Sequence, residues 1–462
     1  MKQLFYLIFI IPLFSTAQKP CATIMSKEQM DKLYTFQQTL DKSPYLFLNK
    51  TTKYVPIKVH IVGNDKGVGY YKPDLLIASF CKINKDFSPI GVQFYIKDEI
   101  NYINNTQLSQ TKDDEIYSVT DNYKDPSSVN VFFAGSSDTY CGVYYPGLDA
   151  VYIINGCQGI NATTLTHELG HFFSLPHTFY EWENNTTPPL SSQEKIDGSN
   201  CRNVGDRFCD TKPDYISSRW DCNTIHNRID PNGVSFSVDS SIYMNYALDA
   251  CHSRFSNEQL AAMDNNLTSR GIINQNMLMT NPAVPSLIYP IENDSNQNAA
   301  SVRLIWNKSE GASLYQLQVA RLKLWETAYL NILVKDTFYD AKLFGNWQFN
   351  WRVKAISLSN MCGDYSDSKS FFAKIFPIGL TELSLDQNSI KIYPNPSYGN
   401  ESIHILSNTT CQMTVVDITG KEVYKTEIVK GSVFDFLPSQ TGLYLFQFML
   451  DGKNMCKKIM IQ

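Results

Sequence analysis

Three histidines and one glutamate are spaced so that they could bind a metal ion and transfer a proton. His167 and His171 lie four residues apart, so on a helix both imidazoles project from one face, one turn apart. Imidazoles placed in this way can bind Zn²⁺, and Glu168 lies beside them. Zinc lowers the pKa of a bound water, and a neighbouring carboxylate can take its proton as the water attacks a carbonyl. The spacing therefore predicts metal-assisted hydrolysis.

A third histidine strengthens this interpretation. Catalytic zinc keeps three protein ligands and one open position, and His177 is the natural third ligand if the helix ends after His171. Pro176 favours that break, because proline disfavours helix at the preceding residue. The alternative is a buried helix with two hydrogen-bonded core histidines. With seven histidines in the chain, the full motif rarely arises by chance.

The sequence around the motif resembles the metzincin zinc proteases. Their motif, HExxHxxGxxH, is followed by a Met-turn, and Met244 stands in the position of that methionine. Closer similarity to the pappalysin family is carried by four stretches: Tyr54 to Val62, HTF from His177, Gly205 to Pro213, and Tyr243 to Phe255. The resemblance spans about residues 54–270. It implies an α/β metzincin catalytic domain with a mostly parallel twisted sheet and an active-site helix.

The resemblance also implies roles for single residues. Met244 would lie beneath the zinc site as a structural residue. Tyr246 would donate a hydrogen bond to the oxyanion of the reaction, although a buried core tyrosine is the alternative. Ser174 replaces the glycine of the motif. That glycine takes a positive φ, a backbone conformation that would cost serine about 1 kcal/mol. Asp249 lies where the pocket for the residue after the scissile bond is usually built. Its carboxylate would favour Lys or Arg, unless it is simply solvated.

A possible second metal site follows the zinc motif. Family members bind Ca²⁺ in this region, so Asp206 and Thr211 are possible calcium ligands, with Asp197 or Glu194 as candidates to complete the site. The alternative is an Asx-type turn with solvated carboxylates.

Eleven cysteines fit a chain that is exported to an oxidising compartment. Four of them cluster around this loop and the Met-turn and allow three pairings: Cys201, Cys209, Cys222 and Cys251. The family pattern favours Cys222 with Cys251, which leaves Cys201 with Cys209. Cys141 and Cys157 flank the strand before the active-site helix and could form another bridge. A zinc ribbon is the rival interpretation, but paired CxxC knuckles are missing.

Cys21 precedes the catalytic region. In related enzymes an N-terminal cysteine in a short pro-segment can occupy the fourth position on zinc and keep the enzyme latent, which suits a thiolate ligand. Those enzymes have Cys-Gly, whereas this chain has Cys21-Ala22. A free or disulfide-bonded cysteine is the alternative.

The N-terminus predicts export. Lys2, the apolar run Leu4 to Phe14 and a small-residue cleavage site form a signal peptide over residues 1–17, too short to span a bilayer. No later segment approaches a membrane span. We expect a pro-segment over 18–52, the catalytic domain over 53–275 and two β-sandwich domains over 284–374 and 388–462.

The two C-terminal regions each resemble a known β-domain. Residues 284–374 look like a fibronectin type III domain. Three aromatic residues there are expected to anchor its core, with sugar binding at the surface as the alternative: Trp306, Tyr315 and Trp351. The last 75 residues or so resemble the sorting domain of type IX secretion, carried by Tyr393-Pro-Asn-Pro396, Asp417 to Val423 and Gly442-Leu-Tyr444. This resemblance implies a type IX translocon as partner.

Together these features predict a secreted zinc-dependent endopeptidase of pappalysin type that acts on proteins or peptides. A net charge of −5 over 462 residues argues against a nucleic-acid partner. The rival is a secreted adhesin or binding protein whose metzincin domain is catalytically impaired, with Ser174 as its sequence support. The intact Glu168 argues against that rival, because a binding protein needs no general base. A zinc amidase would leave the Met-turn unexplained.

Overall fold

The computed structural model describes residues 21–40, 51–111, 113–137, 140–157, 159–274, 277–375, 390–397, 401–450 and 453–461. The predicted signal peptide lies outside them. Two compact units are present: the first extends to residue 297 and includes 302–341 and 347–372, and the second comprises 298–301, 342–346 and the chain from 373 onward. In the described ranges no helix is both long and apolar enough to cross a bilayer.

The N-terminal lobe is an α/β structure. Its helices are α1 (Lys27–Leu40), α2 (Pro73–Asp86), α3 (Thr106–Ser109), α4 (Asp113–Tyr123), α5 (Thr164–Phe172) and α6 (Asn257–Arg270). Its strands are β1 (Lys53–Gly63), β2 (Val92–Ile96), β3 (Asn101–Asn104), β4 (Val129–Ala134), β5 (Gly142–Tyr145), β6 (Ala150–Ile154), β7 (Asn227–Ile229) and β8 (Ser235–Ser237). The main sheet has the order β2-β1-β4-β6-β5, and β3 also pairs with β1. All its pairings are parallel except that of β5 with β6, which confirms the predicted mostly parallel sheet.

The central strands are apolar because helices cover both faces of the sheet. Every residue of β4 and β6 is buried, as is typical of parallel strands in α/β proteins. Strand β6 leads into α5, whose Leu165, Leu169 and Phe172 belong to the main hydrophobic core. The antiparallel strand β5 lies alongside α5, so close that a Cβ on Gly142 would be 2.7 Å from the Glu168 carboxylate. The sheet therefore fixes the helix that carries the predicted zinc motif.

The middle region is a β-sandwich. Its strands are β9 (Leu287–Tyr289), β10 (Asp294–Asn298), β11 (Val302–Trp306), β12 (Leu314–Ala320), β13 (Leu330–Val334), β14 (Phe338–Ala341), β15 (Trp347–Ile356) and β16 (Lys369–Lys374). They form the sheets β10-β16-β15-β12-β13 and β14-β11-β9. Trp306, Tyr315 and Trp351 are 1%, 2% and 0% exposed, so they are core residues rather than a sugar-binding surface.

The C-terminal region is a second, separate β-sandwich. Its strands are β17 (Ile390–Tyr393), β18 (Ile403–Ser407), β19 (Cys411–Asp417), β20 (Glu422–Ile428), β21 (Val433–Phe436), β22 (Gly442–Leu450) and β23 (Lys453–Ile461). The sheets are β17-β18-β21 and β20-β19-β22-β23. Inward residues such as Ile403, Met413 and Phe446 form its own core. The prediction of an α/β domain followed by two β-sandwiches is confirmed.

Four disulfides are present in the described residues. Three join the pairs suggested by the sequence: Cys141–Cys157, Cys201–Cys209 and Cys222–Cys251. The fourth, Cys81–Cys362, was not predicted and joins α2 to the middle sandwich across 281 residues of chain.

Other contacts accompany this unexpected bridge. The Ile96 N–H donates to the Leu358 carbonyl at 2.8 Å, and the Asn331 amide donates to the Asp74 carboxylate at 2.8 Å. Ile356 and Met361 belong to the same buried apolar cluster as residues of the N-terminal lobe. The middle sandwich is therefore packed on the lobe as part of one core.

Replacing both Cys81 and Cys362 with serine should lower the thermal midpoint more than replacing Cys141 and Cys157. The first bridge closes a far longer loop, and the entropy that a cross-link removes from the unfolded chain grows with loop length. Calorimetry of the two double variants makes the comparison. An equal or smaller decrease in the thermal midpoint for the Cys81–Cys362 variant would show that this bridge adds little stability beyond the packing.

Candidate active site

Three imidazoles converge on one point at the end of α5. The Nε2 atoms of His167 and His171 are 3.1 Å apart, those of His171 and His177 are 3.1 Å apart, and those of His167 and His177 are 3.2 Å apart. All three side chains are buried. Four-coordinate zinc about 2.0–2.1 Å from each nitrogen needs nitrogens about 3.3 Å apart, so the spacing suits such an ion.

The other ring nitrogen of each histidine is hydrogen-bonded. His167 Nδ1 lies 2.7 Å from the Tyr243 carbonyl oxygen, and His171 Nδ1 lies 2.7 Å from the Leu175 carbonyl oxygen. His177 Nδ1 lies 2.8 Å from Glu183 Oε1. Carbonyls and carboxylates only accept, so each Nδ1 carries a proton, and each Nε2 atom is the one directed inward. Three lone pairs facing one another without a proton are stable around a cation, so these residues fit a zinc ion.

Burial favours the same protonation state. It lowers the pKa of both His167 and His171 well below the usual value for histidine, and the neighbouring His177 lowers both further. Neutral imidazole is the form that binds a metal.

The chain turns back at Ser174 to bring His177 to this cluster. Helix α5 ends at Phe172, and Ser174 takes a φ of +73°, the left-handed conformation expected of the glycine that it replaces. Its hydroxyl accepts a hydrogen bond from the Asn266 amide at 2.6 Å, and the Leu175 N–H donates to the Gly170 carbonyl at 3.0 Å. These bonds offset the conformational cost, so the turn keeps its shape despite the departure from the family motif.

Met244 lies against the underside of α5. A Cβ at Gly170 would be only 2.4 Å from its sulfur, so this helix position has to be glycine for the methionine to approach. The Thr178 N–H donates to the Met244 carbonyl at 3.1 Å. The turn that contains Met244 is thus tied to the segment that carries His177.

Glu168 is completely buried beside the histidines. Its Oε2 accepts hydrogen bonds from the Thr23 hydroxyl at 2.9 Å and the Cys21 thiol at 3.4 Å. Burial raises the pKa of Glu168 to about 8, while the bonds from Cys21 and Thr23 act in the opposite direction. A carboxylate tuned in this way is suited to accept and return a proton near neutral pH.

Tyr246 lies within reach of the same centre. Its ring is 4.9 Å from the His177 ring, and its hydroxyl donates to the Cys21 carbonyl oxygen at 2.8 Å. The Tyr246 side chain is buried, as a core tyrosine would be. Its hydroxyl, however, points to the Cys21 carbonyl in the cleft.

The segment that begins at Cys21 occupies the cleft. The Cys21 sulfur and the ligand nitrogens of the three histidines all lie within 4.8 Å of one another. Ala22 N–H donates to the Gly142 carbonyl at 3.3 Å, and the Tyr144 N–H donates to the Thr23 hydroxyl at 2.7 Å. The thiol is free, and burial raises its pKa, with the Glu168 charge contributing in the same direction.

Helix α1 anchors this segment. Ser26 and Gln29 cap its start reciprocally, at 3.1 and 3.2 Å. Leu33 is buried in the main core, and the Gln37 amide donates to the Asp206 carbonyl at 2.9 Å. Because the helix is packed, the residues before it are held in place over the histidines.

The region predicted to bind calcium is closed on itself. Asp206 Oδ1 accepts from the Phe208 N–H at 2.9 Å, and the Thr211 hydroxyl donates to both carboxylate oxygens at 3.1 Å. These bonds form the Asx-type turn of the alternative, but the Asp206 carboxylate is buried rather than solvated as that alternative expected. Among the described residues, the one convergent group of three or more His, Cys, Asp or Glu ligands is the histidine cluster with Cys21. The geometry therefore gives the calcium prediction no support.

Several residues at the site could not be found by sequence reasoning. Glu183 orients His177, Thr23 contacts Glu168, and Asn266 holds Ser174. Only Glu183 left a usable signal, an acidic residue six positions after a predicted ligand, since such ligands commonly donate to carboxylates.

Two regions of the chain match known protein families. Residues 125–268 match the family described as pregnancy-associated plasma protein-A, and residues 391–462 match the secretion system C-terminal sorting domain. An extracellular metalloprotease of Colletotrichum graminicola is 26% identical over 231 residues, which cover 45% of this chain and 74% of that protein. One from Podospora anserina is 23% identical over 241 residues, 46% of this chain and 73% of that protein.

Among solved structures, a promirolysin variant of Tannerella forsythia is similar at 18% identity. The match covers 55% of this chain and 95% of that one, with a TM-score of 0.39.

Replacing Glu183 with alanine should weaken zinc binding by about 10- to 100-fold, because the His177 ring loses the carboxylate that fixes its orientation. Competition with a chromogenic chelator measures the affinity. The same change at the exposed Glu326 is the control and should have no effect. Equal affinities for the two variants would show that His177 needs no such support.

Proposed function

We propose that this chain, a secreted metalloprotease with a domain of the pregnancy-associated plasma protein-A family, is a zinc-dependent endopeptidase held latent by its own N-terminal segment. The observation that carries the proposal is the convergence of three buried imidazoles beside the buried carboxylate of Glu168. His167, His171 and His177 would hold the zinc ion. Protein or peptide chains are the substrates proposed.

The bound zinc would supply Lewis acidity, which polarises a peptide carbonyl and makes a water molecule more acidic. Glu168 would accept the proton of the attacking water and return it to the leaving amine, as its position and raised pKa allow. Tyr246 would donate its hydroxyl proton to the oxygen on which negative charge develops. That hydroxyl already donates to a peptide carbonyl, that of Cys21.

The N-terminal segment supports a latent form. Cys21 would provide the fourth zinc ligand as a thiolate, because a cation at the histidines favours the ionised thiol. Thr23 engages Glu168, the proposed base, through its hydroxyl. Substrate and water would both be excluded until this segment leaves. Position 22 is alanine, where the related enzymes have glycine. Its N–H nevertheless donates to the Gly142 carbonyl.

Export by type IX secretion agrees with the sorting domain at the C-terminus, which places the protein outside the cell or on its surface. The domain limits 18–52, 53–275, 284–374 and 388–462 remain our proposal. The fibronectin type III character of the middle sandwich is likewise proposed, and its role would be to support the catalytic lobe that it contacts.

The rival role of an adhesin with an impaired site depended on Ser174. The turn at this residue adopts the positive φ of the family glycine and gains a hydrogen bond from Asn266. The site therefore offers no evidence of decay, which favours the enzyme.

In the zinc-loaded Cys21→Ala chain, which lacks the proposed latch, replacing Glu168 with glutamine should reduce casein hydrolysis by about 100-fold or more while zinc still binds in a 1:1 ratio, because the amide keeps the shape but cannot take a proton. Protein-bound zinc and casein cleavage are measured on the same preparations. A wild-type protein that holds no zinc, or equal cleavage by both proteins, would contradict the proposed function.

Replacing Cys21 with alanine should raise casein hydrolysis by the zinc-loaded full chain, because the site loses its fourth protein ligand and a hydrogen bond to Glu168. Cys456→Ala is the matched control, since it removes another free cysteine outside the site. Activity that rises equally in both variants, or in neither, would argue against the latch.

A further inference from the structure

We propose that Arg219 and Asp249 form a charge pair that makes the pocket beside the scissile bond select an uncharged side chain. The inference rests on the proposed peptidase function and names the substrate residue that the same site would prefer. It replaces the expectation that Asp249 selects Lys or Arg.

The pocket adjoins the reacting groups. A cavity of about 30 Å³ remains beside Cys21, and its walls include His167, Glu168, Arg219, Tyr246 and Asp249. Cys21 occupies the place that a substrate would take once the N-terminal segment leaves. A side chain next to the scissile bond would therefore meet both Arg219 and Asp249.

The two charges neutralise each other directly. Arg219 Nη2 donates to Asp249 Oδ1 at 3.3 Å, and the side chains are only 15% and 25% exposed. The Thr163 hydroxyl donates to the same oxygen at 2.8 Å. A carboxylate that is already paired and hydrogen-bonded attracts a substrate ammonium group far less than a lone carboxylate would.

The backbone holds the pair together, so it differs from a mobile surface ion pair. The Cys222–Cys251 disulfide joins the segment that carries Arg219 to the one that carries Asp249. The Trp220 N–H donates to the Tyr246 carbonyl at 3.2 Å, and the Leu248 N–H donates to the Trp220 carbonyl at 3.0 Å. The backbone positions of Arg219 and Asp249 therefore stay close together when a substrate binds.

A polar network fixes the aspartate side of the pair. Thr163 also lies 2.8 Å from His252 Nδ1, and His252 Nε2 lies 3.0 Å from Asn245 Oδ1. That amide oxygen accepts from the Ala247 N–H at 2.8 Å, so His252 Nε2 carries a proton and donates to it. His252 Nδ1 then accepts, so the single proton of the Thr163 hydroxyl is shared between His252 Nδ1 and Asp249 Oδ1.

The test compares peptides within each variant. The zinc-loaded full chain with Cys21→Ala is the parent, and Arg219→Met and Asp249→Asn are each added to it. Peptides identical except for Lys, Gln or Glu at either position flanking the cleaved bond give relative kcat/KM values. We expect the parent to prefer Gln, Arg219→Met to prefer Lys by about tenfold, and Asp249→Asn to prefer Glu by about tenfold.

Ratios within one variant cancel any general loss of activity. Binding of the same peptides to each protein with Glu168→Gln added, measured by calorimetry, should show the same order without turnover. If Arg219→Met does not fold, Asp249→Asn alone decides, because it predicts a preference for Glu.

A parent that prefers Lys, or variants that keep the order of the parent, would overturn the inference and leave the peptidase proposal intact. If the parent cleaves no peptide even after the segment before α1 is removed, the proposed function fails instead.

Discussion

Three hydrogen bonds donated by Nδ1 atoms determine whether the site can exist, because they turn the three Nε2 atoms towards one point. Each acceptor comes from a different part of the chain. Tyr243 belongs to the turn before Met244, Leu175 follows the positive φ of Ser174, and Glu183 follows the third histidine. The helix α5, the turn and the disulfide-linked loops must therefore all be in place before a metal can be bound.

The groups proposed for catalysis are also those that contact the N-terminal segment. Tyr246 donates to the Cys21 carbonyl, and Glu168 accepts from Thr23 and Cys21. A segment that satisfies these groups removes the cost of leaving polar atoms buried without partners. In the proposed function, latency and catalysis would therefore depend on the same hydrogen-bonding groups, which would contact the substrate after the segment is released.

Local and family patterns predicted the sheet, the convergence of the three histidines, the position of Cys21 beside them and three disulfide pairs. Residues that act through tertiary contact could not be predicted. Cys81 and Cys362 are 281 residues apart, and Arg219 meets Asp249 only because a disulfide brings two loops together. A single sequence carries no signal for such pairs. At Asp206 and Thr211 the sequence does carry a signal, but the signal is ambiguous. The same oxygen-rich residues suit both a cation site and a closed turn.

X-ray absorption at the zinc edge of the zinc-loaded full chain tests the central claim most directly. The account predicts three nitrogen ligands at about 2.0–2.1 Å and one sulfur ligand at about 2.3 Å. With Cys21→Ala, the sulfur contribution should vanish while the three nitrogens of His167, His171 and His177 remain. A first shell without sulfur in the unaltered chain, or with fewer than three nitrogens, would contradict it.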